Sequence, residues 1–128
     1  MSAKRYEDLA CWQLSNDLKL KIYAFTDKLP AAKDVRFCDQ IRDSARSASR
    51  NIAEGFGRFH PADFARFLEI ARGSLIETHN HIRDALDRRY LSESESDELF
   101  KLATRAVAAT TKLRSYLDGC SARRRRPR

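Results

Sequence analysis

The chain has 128 residues, 42% of them apolar and 34% charged, with only four glycines and three prolines, so it has room for one domain and too few chain breakers for a β-rich one. No window holds the roughly 18–20 uninterrupted apolar residues of a membrane span, and Met1 to Glu7 carry no apolar signal core, so a soluble, cytoplasmic protein without a membrane partner is expected. The net charge of +7 is concentrated: five of the 25 Lys and Arg residues are Arg123, Arg124, Arg125, Arg126 and Arg128, and without them 20 basic residues face 18 acidic ones, so the tail and local patches carry any attraction for a polyanion.

Cys11, Leu14, Leu18, Ile22, Phe25 and Leu29 recur at steps of three or four, which predicts helix one, stopped by Pro30. Counting 100° per residue puts Leu9, Trp12, Leu20 and Tyr23 on its opposite side. A helix in a lone bundle needs one apolar face, so these four are the expected oligomer interface, the alternative for Trp12 and Tyr23 being to stack on bases.

Phe37, Ile41, Ala45, Ala48, Ile52 and Phe56 predict helix two, with Gly55-Phe56-Gly57 closing it through a left-handed glycine. His60-Pro61-Ala62-Asp63 then opens helix three, whose core line is Phe64, Leu68, Ala71, Leu75, Ile82 and Leu86. Tyr90-Leu91-Ser92 turns the chain, and Ser92 or Ser94 caps helix four with Glu95, Asp97 and Glu98 at the positive end of its dipole. Leu99, Ala103, Ala106, Leu113 and Leu117 line that helix, and Asp118-Gly119 ends it. Short connections between long helices predict an all-α, antiparallel up-down-up-down four-helix bundle over residues 1–118, with a basic, disordered tail over 119–128.

Arg42, Arg46 and Arg50 repeat every four residues along one side of helix two, where like charges repel. A phosphate backbone would relieve that repulsion, and so would the neighbouring Asp39 and Asp43; Arg36 and Arg58 extend the strip. With the tail arginines these five are the nucleic-acid candidates. His79 and His81 point about 200° apart on a helix and cannot share a metal ion. Gly55-Phe56-Gly57 lacks the third glycine of a dinucleotide fingerprint, and Cys11, Cys38 and Cys120 form no Cys-x-x-Cys pair. No catalytic residue, metal or cofactor is expected.

Tyr6-Glu7-Asp8-Leu9 with Trp12, Gln40-Ile41-Arg42, Asn51-Ile52-Ala53-Glu54-Gly55-Phe56-Gly57-Arg58, Phe64-x-Arg66-Phe67-Leu68 and Ala71-Arg72-Gly73-Ser74-Leu75 stand in an order that resembles one known family. It is the four-helix-bundle proteins related to those encoded by intervening sequences in bacterial 23S ribosomal RNA genes. The resemblance covers residues 6 to 117 and implies a homo-oligomer, typically a pentamer, with no known catalytic activity. Accessory proteins of diversity-generating retroelements are similar in fold, which implies RNA or DNA, a reverse transcriptase or another protein as partners. Where family members carry an Ile-Pro pair this chain has Ala48-Ser49, so a kink in helix two is not expected.

Asn51, Glu54, Arg72 and Ser74 are the polar residues of these blocks and read as a network fixing the register of helices two and three, with Glu54 and Arg72 offsetting one another's desolvation. The expected function is a non-enzymatic oligomeric scaffold that contacts RNA or DNA weakly. The alternative is a protein-interaction module with no nucleic-acid role.

Overall fold

A computed structural model describes the backbone of residues 2–125 and the side chains of residues 2–122. Four helices carry the fold: α1 (Ala10–Thr26), α2 (Val35–Phe56), α3 (Pro61–Asp87) and α4 (Glu93–Arg125), with no strand among the described residues. Each packs along its two neighbours, α1 on α2 and α4 and α3 on α2 and α4, which closes the antiparallel bundle.

The apolar stripes explain why. Leu18 and Ile22 of α1, Ile41, Ala45 and Ala48 of α2, Leu75 and Ile82 of α3, and Ala103 and Ala106 of α4 are buried in one cluster. Cys11, Ile52, Phe64, Leu68, Ala71 and Leu117 are buried in a second. The alanines let neighbouring backbones approach. Ser15 lies between the two clusters on α1 and is the described buried side chain whose polar atom finds no partner.

Helix ends follow local chemistry, and here several expectations are corrected. α1 stops at Thr26, short of Pro30: Asp27 N–H still reaches the Tyr23 carbonyl (3.1 Å), Lys28 N–H turns to that of Phe25 (3.3 Å), and the chain passes into a short 3-10 turn over Ala31–Lys33. Leu29 therefore leaves the helical lattice and is 67% exposed instead of lying in the core. The Asp34 carboxylate caps α2 by accepting the Phe37 N–H (3.2 Å).

α2 runs without interruption through Ala48-Ser49 and ends at Gly57, which is right-handed (φ −75°), not left-handed. The left-handed residue is Arg89 (φ 63°), at the end of α3. There Tyr90 N–H donates to the Ala85 carbonyl and Arg89 N–H to that of Leu86, the paired bonds of a Schellman motif. Ser92 rather than Ser94 caps α4: its hydroxyl accepts the Glu95 N–H (3.1 Å) and Glu95 accepts the Ser92 N–H (2.9 Å).

α4 does not stop at Asp118-Gly119 but continues as helix to Arg125. No described glycine has a positive φ, and a right-handed glycine costs a helix only about 1 kcal/mol, so Gly119 weakens α4 without breaking it. The first residues of the expected disordered tail are thus helical backbone. Arg126 and Arg128, and the side chains of Arg123, Arg124 and Arg125, lie outside the described residues.

Candidate functional site

The helix-two arginines are largely neutralised, and by partners that sequence spacing only half reveals. Arg46 pairs with Asp43, and hydrogen bonds with Asp43 and then Tyr23 raise its guanidinium above the usual range. Arg42 turns instead to α1, donating to the Thr26 hydroxyl (2.8 Å) and to Asp27 (2.7 Å). Arg58 pairs with Glu54 (2.9 Å) and lies over the Phe67 ring. Among the described residues, exposed Arg36 and Arg50 have no ion pair, so they are the helix-two cations left for an outside anion.

The second face of α1 is divided. Leu9 precedes the helix with extended backbone (ψ 130°), so the 100° count does not apply to it and its side chain is buried in the core instead of facing a partner. Trp12 and Tyr23 are half-buried on the flank facing α2. There they line a groove of about 310 Å³ with Tyr6, Lys19, Arg46, Ser49, Arg50 and Ala53. Of the four expected interface residues, Leu20 alone is fully outward, 52% exposed.

The expected polar network exists only in part. Ser47 and Ser74 hydroxyls meet across α2 and α3 (2.7 Å), and the Asn51 amide donates to the Ser47 carbonyl (2.8 Å) and hydroxyl (3.1 Å). Glu54 and Arg72 do not meet: Glu54 takes Arg58, and Arg72 approaches Glu69 at 4.0 Å. Register is the reason. Ser44 faces Thr78, Ser47 faces Ser74 and Gly55 faces Phe67, so Arg72 lies level with the turn of α2 that holds Arg50, one turn from Glu54. The buried Ser44–Thr78 bond (2.8 Å) is the register contact that sequence reading missed, since both residues are neutral and neither stands out.

Asp34 makes a clamp at one end of the bundle. Besides capping α2 it accepts from Tyr90 Oη (2.7 Å) and Arg88 Nη1 (3.0 Å), joining the α1–α2 connection to the α3–α4 turn. The Tyr90 hydrogen bond, then that from Phe37 N–H, holds the Asp34 carboxyl below its usual range. A carboxyl lowered in the fold stabilises it above the ordinary aspartate pKa of about 3.9, and the contribution is lost as pH falls through the folded value. Asp34→Asn is therefore expected to melt lower than wild type at neutral pH, with the gap closing below about pH 4. Melting curves across pH check this, and a gap that persists into acid would assign the effect to packing.

The remaining candidates are structural. His79 stacks near Phe100 (4.7 Å) and His81 pairs with Glu77 (3.4 Å). Among the described residues no three His, Cys, Asp or Glu side chains are grouped as a metal would need. Burial pushes the Cys11 thiol up to about 11, which disfavours the reactive thiolate. No described helix is long and apolar enough to cross a membrane.

A protein with unknown function from the S23 ribosomal protein family of Bacteroides thetaiotaomicron, known from its crystal structure, has the same fold. The two superpose with a TM-score of 0.74 at 20% identity, over 81% of this chain and 97% of that one. No curated protein matches the chain. The sequence profile of the 23S rRNA-intervening sequence proteins matches residues 7–112, from the turn before α1 well into α4. That span takes in the Ser47–Ser74 and Ser44–Thr78 contacts and all of the aromatic–basic groove but Tyr6, and the chain belongs to the 23S rRNA-intervening sequence protein family.

Proposed function

We propose that this chain is a non-enzymatic scaffold that assembles with copies of itself, five being the number the resemblance implies, and holds RNA or DNA weakly through its basic residues. The observation that carries the reading is Gly73. It sits in the middle of α3, exposed, and a Cβ built on it would meet nothing within 4 Å. Glycine there costs roughly 0.5–1 kcal/mol relative to alanine, and no neighbour within the chain requires it. Close approach of another copy's backbone offsets that cost. Ile70 and Ile76, 43% and 47% exposed on either side of Gly73 along α3, supply apolar area for such a contact.

The nucleic-acid half rests on Arg36 and Arg50, free of ion pairs among the described residues, and on the arginine run over 123–128 of the sequence. Light scattering on the full chain tests the assembly: wild type is expected to be oligomeric, and Gly73→Gln combined with Ile70→Glu to release folded monomers. A well-folded wild-type monomer at high concentration sinks the scaffold. Changing Arg123, Arg124, Arg125, Arg126 and Arg128 to Gln is expected to weaken RNA binding and flatten its salt dependence. Partners captured from lysate that survive nuclease, with RNA binding absent, would favour the interaction module instead.

A further inference from the structure

The groove between α1 and α2 joins residues that sequence reading assigns to different jobs. Trp12 and Tyr23 belong to the second face of helix one, while Arg46 and Arg50 belong to the basic strip of helix two; the bundle brings them together with Tyr6 and Lys19. Among the described residues no carboxylate lines this groove. Asp43, the acid paired with Arg46, lies on the other flank of α2, in a polar hollow with Ser44, Ser47, Arg50, Ser74 and Glu77, so Arg50 borders both the groove and this hollow.

The aromatic side is held in place. Tyr6 and Trp12 rings lie 5.3 Å apart with a 59° tilt, and Trp12 packs on the apolar cluster beneath it. Lys19 and Arg42 lie over the Tyr23 ring, at 5.9 and 5.8 Å, so Tyr23 serves as a cationic shoulder more than as an open stacking plane. Tyr6 is exposed and Trp12 half-buried, which leaves ring surface at the mouth of the groove beside Lys19 and Arg50.

We propose that this groove takes the unpaired bases of a single-stranded nucleic acid, with a base against Tyr6 and Trp12 and the flanking phosphates on Lys19 and Arg50, beside Arg46, which Asp43 already holds. The inference rests on the nucleic-acid half of the proposed function and names the form of nucleic acid bound. Aromatic faces between cations suit a strand whose bases are splayed out, and a duplex keeps its bases stacked inside. An acidic peptide would satisfy the cations alone and leave the rings unused.

Trp12 is the chain's sole tryptophan, so its fluorescence reports on the groove in the unmodified protein. A uridine 20-mer is titrated against an RNA duplex of equal length, from low to moderate salt. The single strand is expected to quench Trp12 and to bind tighter than the duplex. Arg50→Gln is expected to reduce the salt slope by about 0.7, the contribution of one phosphate contact on a single strand. Tyr6→Ala, at an exposed ring, is expected to weaken the single strand about 5- to 150-fold and leave the duplex unchanged. Salt-dependent binding that is equal for both RNAs and leaves Trp12 emission unchanged overturns the groove while the scaffold reading stands. Absence of binding to either RNA at low salt overturns the groove together with the RNA half of the proposed function, and leaves self-assembly to the light-scattering test.

Discussion

Gly55→Ala is expected to cost the fold about 1–3 kcal/mol, while Gly73→Ala, the same added methyl on the next helix, is expected to raise monomer stability by about 0.5–1 kcal/mol. A Cβ on Gly55 would lie 2.8 Å from Phe64 Cδ1 and 2.8 Å from Phe67 Cβ. Phe64 cannot swing away, because it is buried and meets Phe56 edge-on at 6.1 Å between ring centroids. The methyl therefore pushes α2 and α3 apart at Gly55. At Gly73 nothing lies within 4 Å, so alanine adds helix propensity without a clash. Urea melts at low protein concentration measure both, since assembly would otherwise add its own stability. A neutral Gly55→Ala would mean that α2 and α3 lie further apart than the structure places them.

The two glycines also mark what sequence can convey. Gly55 is legible as a special position near a helix end, yet its reason is the Phe64 and Phe67 side chains packed against it and not a left-handed backbone. The left-handed residue is an arginine, Arg89, and nothing in its side chain announces a Schellman turn. Periodicity identified all four helices and most of the buried core, because apolar side chains at steps of three and four face one way, but it passed over Leu9, Ala31, Cys38, Ala65, Ala85, Leu91 and Leu102. It failed at the ends, where local contacts decide: α1 closes at Thr26, short of Pro30, Asp34 caps α2, and Gly119 does not stop α4.

The candidate site was legible residue by residue but not as a place. Arg46, Arg50, Trp12 and Tyr23 are each visible in the sequence as basic strip or outward aromatic, and their meeting depends on how α1 and α2 rotate against each other. Counting degrees on one helix cannot supply that rotation. It placed Trp12 and Tyr23 opposite the core, whereas they lie on the flank toward α2. It also paired Glu54 with Arg72, which requires a register one turn away from the one that Ser44–Thr78 and Ser47–Ser74 fix. Small neutral hydroxyls set the alignment here, and the charged groups accommodate to it.

Leu75→Ala and Leu29→Ala separate what the apolar stripe implies from what the bundle uses. Both leucines continue a three-or-four spacing in the sequence, but Leu75 is fully buried in the larger cluster and Leu29 is 67% exposed beyond the end of α1. Removing the Leu75 side chain is expected to cost about 2–5 kcal/mol, the transfer term plus a cavity between α3 and its neighbours that a close-packed core cannot collapse. Leu29→Ala is expected to stay within about 0.5 kcal/mol of wild type. Denaturant melts give both values, with the slope unchanged if the unfolded surface is the same. An equal loss at the two positions would mean that α1 continues past Thr26 and seats Leu29 in the core, and Asp27, which now pairs with Arg42, would then have to release it.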